Sequence, residues 1–590
     1  MMASTIRIGC ASGFYGDSQL SARQLVDKGE IDYLVFDYLA EVTMAILSKA
    51  KSRNERAGFA VDFVTVAMKD VLADCAARGI KVVANAGGVN VPGCIAALEA
   101  LCDELQLNLK VAGVYGDDLM GREDIPREEL VEMQSGDPLP EVPGSMNAYL
   151  GAKPIAEALA AGADIVVTGR VVDSAVVLGP LMHEFNWQET DYNQLAQGSL
   201  CGHVIECGAQ CTGGNYTDWH TVPDFSTMSY PVAEVSQDGS FILSIPPGTG
   251  GLATVGSVGE QILYEIGDPA NYLLPDVVCD FSHIQLQQVA KDEVRVSGAL
   301  GRAPGNKYKV CASWRDGFQI KGIAIFGGQR ALDKARTDYE AWIKRVRRYF
   351  QEQGIEDFRE VNLEYLGAEH SYGPHARAGD TREVVAKFGL HHDDPDALQF
   401  AANEMAYLGT SGAPGMYGLG GGRIRPSGLI RIHSALIDKE IVPVTVQLGA
   451  KVLHERTYQT PSSAATPRRY IDVEEPSEAE QWQTVNLEQL AFARSGDKGN
   501  NANIGVIARE PRFLPFIHSQ LTAQVVDDYF AHLVSGDVER FELPGFNAYN
   551  FFMTEALGGG GTGSVRADAQ GKSLAQLLLS VPIKVPVGLM

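Results

Sequence analysis

Lys81-Val-Val-Ala-Asn-Ala-Gly-Gly-Val-Asn90 reads as a short apolar strand, Lys81–Ala84, that runs into a turn of Asn and Gly. Val91 to Leu105 follows with helical periodicity, and Lys110–Val114 is the next strand. A strand that is apolar throughout, joined by a helix to another of the same kind, belongs to a parallel sheet covered on both faces. The same alternation extends in both directions. Ile6–Ala11 and Tyr33–Phe36 read as strands, Val61 to Arg78 as an amphipathic helix, Ala152 to Ala161 as a helix and Asp164–Thr168 as a strand. The first 200 residues are therefore expected to form a Rossmann-like parallel α/β unit with right-handed connections. Ligands in such sheets bind at the C-terminal strand ends.

Polar clusters fall at those ends: Gly13-Phe-Tyr-Gly-Asp-Ser18, Asp37-Tyr-Leu-Ala-Glu41, Asn85 to Asn90, Tyr115-Gly-Asp-Asp118 and Gly169-Arg-Val-Val-Asp173. Five such clusters on successive strands predict one shared site, with Gly13, Asn85, Gly87, Gly88, Asn90, Arg170 and Asp173 as substrate contacts. Arg170 and Asp173 could orient each other and hold a carboxylate, or tie the strand end to a helix. Asp17, Glu41 and Asp117 could hold Mg²⁺ if their strand ends meet, and the pair Asp117-Asp118 could equally be a solvated turn.

Residues 201–455 are Gly-rich, with β-like runs at Ser240–Ser244, Glu293–Leu300, Tyr308–Ala312 and Gln319–Phe326 and a long charged helix from Ala331 to Gln351. They read as an α+β region. His391-His392-Asp-Asp394 precedes Pro395 and should cap the next helix. Gly415 to Gly422, beside Arg423 and Arg425, reads as a lid or a plain surface loop. Residues 456–482 form a linker, with Pro461 to Ala479 poor in apolar residues. Residues 483–590 form a small α+β unit: strand, polar loop, strand, helix (Ala523–Val534), strand, helix (Ala548–Leu557), helix (Ser573–Leu579) and strand.

Two constellations carry chemistry. In Arg494-Ser-Gly-Asp-Lys-Gly-Asn-Asn-Ala-Asn-Ile-Gly505 the loop is longer and more polar than chain reversal requires, since reversal takes two to five residues. Arg494, Ser495, Asp497, Lys498 and Asn500 are the expected contacts to an anion such as a carboxylate, a phosphate or the diphosphate of coenzyme A. In Gly202-His-Val-Ile-Glu-Cys-Gly-Ala-Gln-Cys-Thr-Gly-Gly-Asn215, His203 and Glu206 share a helical face as an acid/base pair would. Cys207 joins them as a catalytic candidate, with Gln210 and Asn215 as substrate contacts. The Cys-x-x-Cys pairs of a structural zinc site are missing.

The chain has 590 residues, 45% hydrophobic and 21% charged, with a formal net charge of −25. That charge argues against nucleic-acid or anionic-membrane partners. Nine scattered cysteines point to free thiols in a reducing compartment. Without a charged-then-apolar leader pattern or an apolar run of about 18 residues, the expectation is a cytoplasmic protein. After the first strand, Gly13–Ser18 lacks the full Gly-x-Gly-x-x-Gly and its spacing, and no Walker-type phosphate loop occurs, so nicotinamide or ATP use is not supported.

The motifs Asn85–Asn90, Thr168-Gly-Arg-Val-Val-Asp-Ser174, Gly202–Asn215 and Glu260-Gln-Ile-Leu-Tyr-Glu-Ile-Gly-Asp-Pro269 resemble the acyclic terpene utilisation AtuA family, as does Tyr308-Lys-Val310 after Gly301-Arg-Ala-Pro304. Ala493-Arg-Ser-Gly-Asp-Lys-Gly-Asn500 resembles the small ferredoxin-like domain that accompanies it. The resemblance implies citronellol and geraniol catabolism through acyl-CoA intermediates, beside a geranyl-CoA carboxylase, and carries over no catalytic residue set. The expectation is an enzyme that abstracts a proton next to a carbonyl, as a hydratase, lyase or isomerase does, on a carboxylate or acyl-CoA. Coenzyme A would enter as part of the substrate, in a cofactor-independent or metal-assisted reaction. The alternative is a non-catalytic subunit or scaffold for an acyl-CoA enzyme. A homo-oligomer is expected in either case.

Overall fold

The computed structural model describes residues 5–418, 423–459, 461–474 and 480–590. Thr5–Cys10 (β1), Tyr33–Phe36 (β2), Lys81–Ala84 (β3), Val111–Tyr115 (β4) and Ile165–Thr168 (β5) are the parallel strands read from the sequence. They lie in the order β1-β2-β3-β5-β4. Side chains alternate between two buried clusters. Ile6, Ile8, Tyr33, Val35, Val83, Ala112 and Val166 serve one face, and Leu34, Phe36, Val82, Ala84, Val111, Ile165 and Val167 serve the other. Both faces are dry, which is why every strand is apolar throughout.

The sheet does not stop at this parallel core. Val232–Ser236 (β6), Phe241–Ser244 (β7), Gln285–Ala290 (β8) and Glu293–Ser297 (β9) extend it antiparallel beyond β1 in the order β8-β9-β7-β6. Residues between 201 and 455 thus complete the first sheet as well as building a second. The second is centred on Lys307–Gly327 (β10), one 21-residue strand where two short runs are expected. A register shift between Arg315 and Phe318 lets it bend without breaking. It pairs with Glu383–His392 (β11) and Ser427–Asp438 (β12). Helix Ala331–Gln353 buries Trp342, Tyr339 and Phe350 against this sheet, and Asp394 caps the helix Pro395–Glu404 through the amide of Asp396. Of the Gly415–Gly422 run, residues 419–422 lie outside the described residues, as do 475–479 of the linker. Val444–Leu448 (β13) and Lys451–Arg456 (β14) then return to the first sheet beside β4.

Ala491–Lys498 (β15), Asn501–Ala508 (β16), Val538–Leu543 (β17) and Ala548–Met553 (β18) form the C-terminal four-stranded sheet, ordered β15-β16-β18-β17. Two expectations are corrected. Ala548–Leu557 is not a helix: Ala548–Met553 is an inner strand, where Tyr549, Phe551 and Met553 alternate into the core. The polar stretch 494–505 is not an extended loop: it is a hairpin paired from Ala491↔Ala508 to Lys498↔Asn501, turned by Gly499 and Asn500 alone. Gly499, at φ +65, supplies the left-handed residue that the turn needs. No helix among the described residues is long and apolar enough to cross a membrane.

Candidate functional site

The strand ends of the parallel core, the end of helix Tyr192–Ile205 and the C-terminal hairpin bring polar side chains into one cluster, the candidate cleft. After β2, Asp37 is almost fully buried, and Asn85 donates an amide hydrogen bond to its Oδ1 at 2.5 Å. The Asn85 carbonyl oxygen accepts the Tyr38 amide at 2.7 Å. After β5, the Arg170 guanidinium is buried. It donates to Asp173 Oδ1 at 2.6 Å and stacks 4.1 Å above the Tyr149 ring, while its Nε has no partner among the described residues. Its backbone amide donates to Asp117 Oδ2 at 2.8 Å, which fixes the peptide that carries the side chain. Tyr149 donates to Glu41 Oε1 at 2.5 Å, and Lys309 donates to the same oxygen at 3.1 Å. Burial alone would raise the Glu41 carboxyl, but Lys309, Arg170 and the Tyr149 hydroxyl together hold it well below the usual range. Tyr149→Phe is expected to reduce stability by about 1.5 kcal/mol, because a hydrogen bond to a charged acceptor is lost. Urea denaturation at neutral pH measures it.

The second wall comes from the end of helix Tyr192–Ile205, which carries His203, and from Glu206 just beyond it. Gly202 and Gly13 are required by proximity. A Cβ on Gly202 would sit 2.7 Å from Ser174, and one on Gly13 would sit 2.7 Å from the Cys207 backbone. His203 Nε2 lies 3.1 Å from the Ile262 carbonyl oxygen, which can only accept, so Nε2 carries the hydrogen. Nδ1 is then a lone pair, 3.3 Å from Glu206 Oε1. Burial, reinforced by Lys498, lowers His203 to about 4. Burial and the Asp173 charge raise Glu206 well above an ordinary carboxyl. With Nε2–H committed to Ile262, the Nδ1–Oε1 contact is a hydrogen bond when Glu206 carries a proton, the form that burial favours. The Tyr272 and Phe281 rings enclose the imidazole, at centroid distances of 5.7 and 6.2 Å. Cys207 is raised by burial and by Glu206 and Glu265, which leaves it a protonated thiol and a poor nucleophile at neutral pH.

The C-terminal hairpin supplies the third wall. Lys498 Nζ lies 5.8 Å over the Tyr272 ring, near enough to act electrostatically on both His203 and Glu206. Asp497 accepts from Lys572 Nζ at 3.2 Å, and Lys572 also donates to Tyr264 and to Glu265. Burial and Glu265 raise Asp497 to about 7. The Gly-rich run 558–564 folds against the tip: the Gly559 amide donates to Asn500 Oδ1 at 2.6 Å, and Thr562 bonds the Ile430 carbonyl at 2.8 Å.

The structure thus brings together Gly13, Arg170, Asp173, His203, Glu206, Cys207, Asp497 and Lys498 around one cleft. Other expected substrate contacts are committed elsewhere. Asn85 is occupied by Asp37 and Tyr38. Asn90 caps helix Val91–Glu104 and donates to the Ala57 carbonyl. Gly87 and Gly88 pack on the Thr168 carbonyl and on Leu47 with Gly58. Arg494 ties the two units together through the Asn215 carbonyl at 2.8 Å and through Gln210 Oε1. Ser495 bonds the Gly571 carbonyl at 2.6 Å, and Asn500 makes the turn. The Mg²⁺ set does not assemble. Asp17 accepts from the Gly13 amide and the Tyr230 hydroxyl, whereas Glu41 and Asp117 hold the partners already described. Among the described residues no three His, Cys, Asp or Glu side chains are grouped to hold one metal ion. Sequence reasoning missed Tyr149, Lys309, Tyr264, Glu265, Tyr272 and Lys572 as site residues. Each arrives from a distant segment, and only Tyr264, Glu265 and Lys309 stand in a motif.

The profile of the acyclic terpene utilisation family protein AtuA matches residues 6–448. The chain belongs to the AtuA family. The AtuA ferredoxin-like domain matches residues 485–584, which contain the hairpin and Lys572. Neither the curated proteins nor the solved structures gave a match. Membership associates the chain with acyclic terpene utilisation. In this AtuA family member the cleft takes residues from both family segments.

Proposed function

We propose that this AtuA family protein is an enzyme in which Glu206 transfers a proton next to the carbonyl of a carboxylate or acyl-CoA substrate, in a hydratase, lyase or isomerase reaction. The observation that carries the reading is the buried Glu206–His203 pair, 3.3 Å apart at the end of helix Tyr192–Ile205, with His203 Nε2 held by the Ile262 carbonyl. Glu206 is the acid. His203, with Nε2 tied to a backbone carbonyl, is a positioning residue that orients it and accepts its hydrogen bond. Lys498 and Arg170 are the cations available to the substrate's anionic group and to negative charge that develops on the carbonyl oxygen. Asn85 and the Gly13 amide already have protein partners, so neither donates to that oxygen. In the scaffold alternative the 494–505 segment is an outward interface turn. It is instead packed on Tyr264 and Tyr272 of the same chain.

Thermal-shift titration with CoA thioesters and with dicarboxylates identifies the anion class. Binding at one hundred times the dissociation constant stabilises by about 2.7 kcal/mol. For the compound that binds, proton NMR in D₂O should show loss of the signal next to the carbonyl with wild type and none with Glu206→Gln. Full exchange by Glu206→Gln would remove Glu206 from the reaction. A complete set of compounds without any shift would favour the scaffold.

A further inference from the structure

We propose that a small cavity where the linker meets both family segments is a binding site for one small inorganic anion of the size of chloride. None of the residues assigned to proton transfer lines it, so the proposal stands whether or not Glu206 is the acid.

Three parts of the chain enclose the cavity: residues 268–270 with Ser282, linker residues 468–470, and residues 540–542 of β17. Its volume is about 10 Å³, room for one group of about the size of a water molecule. Its acceptors are already taken. Asp268 accepts the Ala270 amide on one carboxylate oxygen, at 2.9 Å, and the Asn271 side-chain amide on the other, at 2.7 Å. Glu542 accepts Arg540 at 3.0 Å on one oxygen and the Ile471 amide at 2.7 Å on the other. The carbonyls of Asp268, Pro269, Ala270 and Ser282 accept from Asn271, Phe281, Arg302 and Gly545. Its donors are not taken. Ser282 is fully buried, and its hydroxyl has no partner among the described residues. Arg469 makes no hydrogen bond among the described residues, and its contact with Asp280 Oδ2 spans 3.9 Å. Arg468 lies 4.6 Å over the Phe541 ring and gives only Nη2 to a carboxylate, Glu539, at 3.1 Å.

A buried hydroxyl without a partner is costly, and here it faces a space lined by guanidinium groups. A water molecule there would have to donate as well as accept, and the oxygens that line the cavity already hold donors. An anion only accepts. It satisfies the Ser282 hydroxyl and the free guanidinium N–H groups together, and the three arginines outnumber the two carboxylates of the lining. The volume excludes a phosphate or a carboxylate-bearing metabolite. The bound ion would join the linker to Ser282, in addition to the Arg468 and Ile471 bonds that tie the linker to β17. It would thereby fasten the C-terminal unit to the rest of the chain.

The test melts the full-length protein in sodium chloride and in sodium gluconate at equal ionic strength, since gluconate is too large for the cavity. An ion bound only by the folded chain raises the melting temperature by mass action. The difference between the two salts should therefore be positive and should saturate as chloride rises. It should fall by at least half in Ser282→Ala and in Arg469→Gln. Arg469 has a 41% exposed side chain, so its variant keeps the fold even if the Ser282 variant does not. A difference that grows without saturating, or that persists in full in Arg469→Gln, overturns the proposal. Crystals grown in bromide give a second reading. An anomalous peak within hydrogen-bond reach of Ser282 Oγ is expected, and a water molecule in that place overturns the proposal.

Discussion

Gly560→Val is expected to destabilise the protein by about 3–5 kcal/mol and to move the hairpin tip. Gly560 has φ +63, and a Cβ there would run into the carbonyl oxygen of Gly499. A left-handed β-branched residue adds about 1–2 kcal/mol, and forcing atoms into a filled space adds about 1–3 kcal/mol. Neither element can yield easily. The tip is anchored through Asn500 to Gly559, and the strap continues to Lys321 and Lys387, which bind the carbonyls of Ser564 and Val565. Gly499→Ala is the control. Its φ is similar, at +65, but nothing lies within 4 Å of the new methyl, so only the backbone strain of about 1 kcal/mol remains. Guanidinium denaturation of both variants measures the difference. Equal losses would mean that the strap does not bear on the tip.

Glu260→Gln is expected to stabilise the protein at neutral and alkaline pH. Glu260 is 3% exposed, and its oxygens accept the Thr217 amide at 3.1 and 3.3 Å, a bond that the Gln carbonyl can keep. Burial raises this carboxyl from 4.5 to about 8. A carboxyl raised on folding carries no penalty below its unfolded pKa. The penalty grows as pH rises from 4.5 and levels off above about 8. The gain from the neutral side chain should thus be negligible at pH 4 and on the order of 3–5 kcal/mol above pH 8. Melting temperatures across that range read the sign directly. A constant offset between the two proteins would mean that Glu260 titrates normally.

The sheet core was legible because its signal is local. Tyr33–Phe36 and Lys81–Ala84 are runs of apolar residues whose neighbours end them sharply, and the structure has both at those bounds. The 494–505 hairpin misled for a physical reason. Its two strands carry Arg, Asp, Lys and Asn because one face meets the Tyr264–Glu265 segment and the other meets residues 571–575, so hydrogen bonds stand beside the apolar contacts of Ala502 and Ile504. Periodicity measures hydrophobic burial and is blind to a strand buried among hydrogen bonds. Ala548–Met553 was hidden similarly, since its Asn550 lies fully buried and donates to the carbonyls of Ile266 and Gly267. In the site, His203 and Glu206 were legible as a spacing of three on one helix. Tyr149, Lys309 and Tyr272 were not, because only the crossing of strands brings residues 149, 309 and 272 to one place.

The hairpin face has a consequence for how this protein is made. Asn503 and Asn550 donate to the carbonyls of Leu263, Ile266 and Gly267, which lie at and beyond the end of helix Val255–Ile262. Without the C-terminal unit those carbonyls lack their amide partners, and Tyr264 and Glu265 lack Lys572. During synthesis the parallel core can assemble early, yet the cleft acquires Lys498 and Lys572 only after several hundred further residues have emerged. A ribosome that stalls before them releases a chain with a sheet but no finished cleft. The order of translation thereby leaves the Tyr264–Glu265 segment without its Lys572 partner until the C-terminal unit has emerged.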